Sequence, residues 1–128
     1  MVAVDTNVIV RLLTQDERKQ AAFATAIFAD ADVWIAKTVL LECAWALKSS
    51  YGYKPEAVRH ALAMLLGLPN VQVEDRPAIA RALSLAAHGL DLADAIHFES
   101  RPRGVKFVSF EDAFLRQARR AGLADVEG

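Results

Sequence analysis

Short apolar runs alternate with longer stretches of helical spacing along the whole chain. Val2-Ala3-Val4, Val33-Trp34-Ile35-Ala36, Val71-Gln72-Val73 and Val105-Lys106-Phe107-Val108 lack the polar alternation of a half-exposed strand. Runs of this kind suit parallel strands covered on both faces. Ala124-Asp125-Val126 is a weaker fifth candidate. Helices are expected between them at 6–14, 17–30, 38–50, 55–67, 77–88, 92–100 and 111–121. Pro55 suits the opening turn of the fourth helix. Gly89, the Arg101-Pro102-Arg103-Gly104 run and Gly122 stop the last three. Strands followed by helices in this order predict an α/β sandwich around a mainly parallel sheet of four to five strands.

In open sheets of this type, ligands sit beyond the carboxyl ends of the strands. Polar residues that end strands or begin the following helix are therefore the first candidates for chemistry. Asp5 follows the first strand and precedes Thr6-Asn7 and an apolar run, so it is either a helix cap or part of a site. Glu42 is the only charge in Val39-Leu40-Leu41-Glu42-Cys43-Ala44-Trp45-Ala46-Leu47. Its helical neighbours Thr38, Val39, Trp45 and Ala46 offer no cation. Such a carboxylate must reach solvent or find compensation, and a metal ion is one compensation.

In Asp91-Leu92-Ala93-Asp94-Ala95-Ile96-His97, Asp91 reads as an N-cap and Asp94 falls in the first turn, where acids complement the helix dipole. His97 lies among Ala95, Ile96 and Phe98 and reads as packing. In Val108-Ser109-Phe110-Glu111-Asp112-Ala113-Phe114, Ser109 reads as an N-cap with Asp112 three residues on. Asp112 also has Arg116 four residues later. Either Glu111 or Asp112 could add an acid to a site, and the sequence leaves that choice open.

Composition narrows the class. A chain of 128 residues with 54% hydrophobic residues can build one core, so a single domain over 1–128 is expected. Fifteen Lys and Arg against sixteen Asp and Glu exclude a globally basic nucleic-acid coater, but not a local groove for one. The single Cys43 cannot form an internal disulfide and reads as a buried filler. No apolar run is long enough to span a membrane. Asp5 stands where a signal peptide carries basic residues, so a cytoplasmic protein is expected. There is no glycine-rich phosphate loop and no Gly-x-Ser-x-Gly elbow. Several carboxylates brought together repel unless a cation sits among them. An all-oxygen set suits Mg²⁺ or Mn²⁺ rather than zinc, and such a site holds phosphate oxygens and activates water.

The four acidic segments, in order and over essentially the whole chain, resemble PIN-domain proteins, most closely the VapC-like ribonuclease toxins of type II toxin–antitoxin pairs. The resemblance implies a PIN-like three-layer sandwich and a Mg²⁺-dependent ribonuclease, with Mn²⁺ as an alternative metal. Asp5, Glu42 and Asp94 match the family's three principal metal-binding acids and would be catalytic. The family's fourth motif carries Thr-Phe-Asp, whereas this chain has Ser109-Phe110-Glu111, so Glu111 or the adjoining Asp112 would be the fourth ligand. The implied partners are an RNA substrate, a cognate antitoxin whose C-terminal segment covers the acidic pocket, and a second copy in a homodimer. Trp45, Tyr51 and Tyr53 are candidates for an interface, with core packing at least an equal reading for Trp45. Arg11, Arg101, Arg103, Lys106, Arg116, Arg119 and Arg120 are the cations available to RNA.

Three alternatives remain. A PIN module could bind RNA or a partner without cleaving. A haloacid-dehalogenase-like phosphatase needs a second Asp where Asn7 stands. A receiver-like module would use Glu74-Asp75 as acceptor and leaves Glu42 unexplained. The metal reading makes one geometric demand: Glu42 must lie close to Asp5.

Overall fold

The alternation of strands and helices is present in the computed structural model, which describes residues 1–128. In chain order the elements are β1 (Val2–Ala3), α1 (Thr6–Thr14), α2 (Arg18–Asp30), β2 (Val33–Ile35), α3 (Lys37–Ser49), α4 (Pro55–Leu66), β3 (Val71–Val73), α5 (Arg76–Ala87), α6 (Leu92–Glu99), β4 (Phe107–Val108), α7 (Asp112–Arg120) and β5 (Val126–Glu127). Every strand pairing is parallel. β1, β2 and β3 form one hydrogen-bonded set in that order, with Val2 opposite Val33 and Val33 opposite Val71. β4 pairs with β5, the weak fifth candidate, with Phe107 opposite Val126. The fold is α/β, with parallel strands accompanied by seven helices.

Two compact units divide the chain, Met1–Arg76 and Pro77–Gly128. In the first, Ile9, Val33, Ile35, Leu40, Cys43, Leu47 and Leu62 are sealed from solvent. In the second, Phe98, Phe107 and Phe114 cluster with ring centroids 5.3–6.3 Å apart. The Arg101 guanidinium lies 3.9 Å over the Phe98 ring. The strand expected over 105–108 is shorter than its apolar pattern suggests. The Val105 N–H turns back to the Pro102 carbonyl, and Gly104 takes a φ of 79°, so pairing starts only at Phe107.

Both ends of α3 are held from outside the helix, which fixes the face it shows to α1. Ala36, at its N-cap, has no side-chain acceptor to give. Glu74, just past β3, supplies one instead: its Oε1 accepts the Lys37 N–H at 2.9 Å. Asp75 Oδ2 meets Lys37 Nζ at 3.0 Å. The pair singled out as a receiver acceptor is thus engaged in holding a helix start. Beyond the other end, Tyr51 Oη donates to Asp16 Oδ2 at 2.6 Å and receives Arg11 Nη1 at 2.8 Å. Arg11 also pairs with Asp16 and donates from Nε to Gln20, so this cation is engaged within the protein. The Tyr51 hydroxyl is the main cause holding the Asp16 carboxyl below its ordinary value, with Thr14 and Arg11 assisting against a desolvation penalty.

Asn70 ties the end of α2 to β3. Its Nδ2 donates to the Phe28 and Ala31 carbonyls, both at 2.7 Å, which are acceptors a helix end leaves orphaned. Replacing Asn70 by Ala strands both and is expected to cost about 1–3 kcal/mol in urea unfolding. A change below about 0.3 kcal/mol would show that solvent takes over those carbonyls.

Candidate functional site

Asp5 lies just past β1, at the carboxyl end of the strand, and does the work of a cap. Its Oδ1 accepts the Thr6 N–H at 2.7 Å, while its backbone carbonyl accepts the Val8 N–H at 3.2 Å. The other carboxylate oxygen has no partner within the protein. Capping and site readings are therefore compatible, because capping uses only one oxygen.

Glu42 sits in the second turn of α3, exposed, with no hydrogen bond or ion pair. Beside it, Cys43 is fully buried, and its Sγ lies 3.9 Å from the Thr6 carbonyl oxygen. That contact joins the residue after Asp5 to the residue after Glu42. The thiol registers the result: burial, then the negative charges of Glu42 and Asp5, push it up to about 12. Two carboxylates thirty-seven positions apart thus act on one sulfur. Protonated at neutral pH, Cys43 is filler and no metal ligand, as its apolar helix suggests.

Thr6 is the residue that sequence reasoning passed over. Its Oγ1 is buried and has no hydrogen-bond partner. Nothing in Asp5-Thr6-Asn7 distinguishes it, since Thr is ordinary at a helix start. Only packing shows that this hydroxyl is shut away unsatisfied, next to a carboxylate with a free oxygen.

The remaining candidates belong to the second unit. Asp91 caps α6, its carboxylate accepting the Asp94 N–H at 3.2 Å. Asp94 is half-buried in the first turn. His97 is exposed rather than packed. Glu111, not Ser109, takes the N-cap position of α7, and its side chain makes no capping bond. Ser109 Oγ accepts the Glu111 N–H at 3.1 Å, closing a local turn two residues earlier than a cap would sit. Asp112 opens the helix and forms no ion pair with Arg116, contrary to the spacing argument. Trp45 is 67% exposed, so the core reading fails for it: α3 shows Thr38, Glu42 and Trp45 on one face while Leu40, Cys43 and Leu47 fill the core.

Within neither unit are three Asp, Glu, His or Cys side chains gathered closely enough to hold a metal ion by themselves. In the first unit the donor set is two carboxylates, Asp5 and Glu42, beside an unsatisfied hydroxyl. That set fits Mg²⁺, which keeps several waters and takes one or two carboxylates plus substrate phosphate.

A sequence model of the PIN domain matches residues 2–120. The chain belongs to the PIN domain family. No curated protein and no solved structure matches it. PIN domains are a family of nucleases that generally use divalent metals, and the match spans all four acidic segments. Membership sets the phosphatase and receiver readings aside, in keeping with Asn7 at the position of a second Asp and with Glu74 and Asp75 held at α3. No helix of this PIN domain is long and apolar enough to cross a membrane.

Proposed function

We propose that this PIN domain is a Mg²⁺-dependent ribonuclease, able to use Mn²⁺, that hydrolyses RNA phosphodiester bonds as the toxin of a toxin–antitoxin pair. The observation that carries the reading is membership of the PIN domain family over residues 2–120, with the 3.9 Å contact between Cys43 Sγ and the Thr6 carbonyl tying the residue after Glu42 to the residue after Asp5. Asp5 and Glu42 would hold the cation, and the Asp5 cap and the two anchors of α3 fix the backbone that carries them. The family resemblance adds Asp94, and Glu111 or Asp112, as further metal-binding acids, within a single domain over 1–128. When bound, the divalent cation supplies Lewis acidity toward phosphate and water.

The protein acts in the cytoplasm as a homodimer, and its partner is an antitoxin whose terminal segment covers the acids. A groove of about 580 Å³ beside Asp5, walled by Val2, Val8, Phe23 and Ile27, supports such a docking segment. Exposed Trp45 supports a second protein surface. Incubation of the protein with purified total RNA, in Mg²⁺ and in EDTA, tests the activity: cleavage in Mg²⁺ that stops in EDTA is expected. Glu111 at the position where the family carries Asp favours a second reading, a PIN module that binds RNA without cutting it. Binding with no cleavage in either Mg²⁺ or Mn²⁺ would select that reading.

A further inference from the structure

We propose that α7 and the Phe110 ahead of it form a surface for single-stranded RNA, the arginines taking phosphates and the ring stacking a base. It deepens the ribonuclease reading and takes its substrate class from there.

The cations of the second unit divide sharply. Arg81 pairs with Glu99, Arg101 with Asp125 and Lys106 with Glu127. Arg103, Arg116, Arg119 and Arg120 have no side-chain partner at all. Three of these four lie on α7 at positions i, i+3 and i+4, exposed on one helix face. Like charges at that spacing repel, and Asp112, one turn before Arg116, does not move in to relieve them. Helix-dipole complementarity accounts for Arg119 and Arg120 in the last turn, but not for Arg116 a turn earlier. The ridge begins about 6 Å along the axis from Asp112 and ends about 12 Å from it, at a rise of roughly 1.5 Å per residue.

Phe110 is the second observation. It is 90% exposed, while the unit's other phenylalanines stack on one another. Three large apolar side chains of this stretch are exposed, Val105, Val108 and Phe110, and Phe110 is the one that carries a ring. A protein partner wants a contiguous apolar patch with a polar rim. A nucleobase needs only one ring face, and a strand offers bases and phosphates in alternation. An exposed ring at the head of an unpaired cationic ridge matches the strand.

The test is fluorescence anisotropy with a labelled oligouridylate in EDTA, so that binding is read without cleavage. Each of Arg116→Gln, Arg119→Gln and Arg120→Gln is expected to lower the slope of log affinity against log salt by about 0.7, and the triple variant by about 2. Phe110→Ala is expected to weaken binding by about fivefold to a hundredfold at every salt concentration without altering the slope, and Phe110→Trp to restore it. All these side chains are exposed, and an unchanged melting temperature confirms intact folding. Absence of wild-type binding, an unchanged slope in the triple variant, or unchanged affinity in Phe110→Ala each overturns the surface. If wild type binds as described but cuts no RNA in Mg²⁺, the nuclease reading falls and the surface stands. If it cuts RNA while the triple variant keeps its slope, the reverse holds.

Discussion

Asp5→Asn is expected to lower RNA cleavage by at least about a hundredfold while leaving the melting temperature nearly unchanged. The substitution separates the residue's two tasks. Asn is as good an N-cap as Asp, and its side-chain oxygen can still accept the Thr6 N–H that Oδ1 accepts at 2.7 Å. It lacks the negative charge, and its second terminal group is a donor that cannot hold a cation. A metal at a phosphoryl centre contributes several kcal/mol of charge stabilisation, and each 1.36 kcal/mol is a factor of ten in rate. Asp5→Ala removes both functions. It should be as inactive as Asp5→Asn and also lose about 1 kcal/mol of stability with the cap. Initial rates on a labelled RNA, read beside thermal melts, separate the cases. An Asp5→Asn protein that keeps cleavage within a few-fold of wild type removes Asp5 from the site. The same result with activity lost only in Asp5→Ala would reduce Asp5 to a helix cap.

The backbone plan was legible in the sequence because hydrophobic spacing and helix punctuation decide it locally. α1 begins and ends where the pattern places it, and Pro55 opens α4. The errors cluster where one residue type has two local uses. Ser109 has the chemistry of a cap, but a turn two residues earlier takes its hydroxyl and leaves the cap position to Glu111. Asp112 and Arg116 have the spacing of an ion pair, yet an exposed pair gains so little that spacing does not compel it. Trp45 has the size of a core residue, but the helix phase set by Leu40, Cys43 and Leu47 turns it outward with Glu42.

The assignment of Asp5 and Glu42 to one site rests on an acid with no cation to pair with and on family likeness, not on any local rule. Periodicity places Glu42 on a face and cannot say which helix that face meets. What fixes α3 against α1 is non-local: Glu74 and Asp75 reaching back from β3 to Lys37, and Tyr51 reaching Arg11 and Asp16. None of these contacts has a sequence signature. The same holds for the unsatisfied Thr6 hydroxyl, which exists only because packing closes over it.

Glu42→Gln carries the second large effect, and its sign in stability is opposite to that of an ordinary loss of function. Cleavage should again fall by at least about a hundredfold, since the proposed metal loses one of its carboxylates. In EDTA the wild-type protein keeps two uncompensated carboxylates close enough for both to bear on the Cys43 thiol. Removing one relieves repulsion and breaks no hydrogen bond. The melting temperature of Glu42→Gln in EDTA should therefore equal or slightly exceed that of wild type; the gain is small because both groups are exposed and water screens them. Mg²⁺ should then reverse the order. A cation that binds only the folded state stabilises by RT ln(1 + [L]/Kd), about 2.7 kcal/mol at a hundred times Kd, so wild type should melt higher as Mg²⁺ rises while Glu42→Gln responds little. Melts of both proteins across a Mg²⁺ series, with ionic strength held constant, read this crossing. Parallel curves would mean that the cation does not bind through Glu42. A Glu42→Gln protein that melts well below wild type in EDTA would mean that the side chain holds the fold together, and the reason for expecting a metal beside Asp5 would go with it.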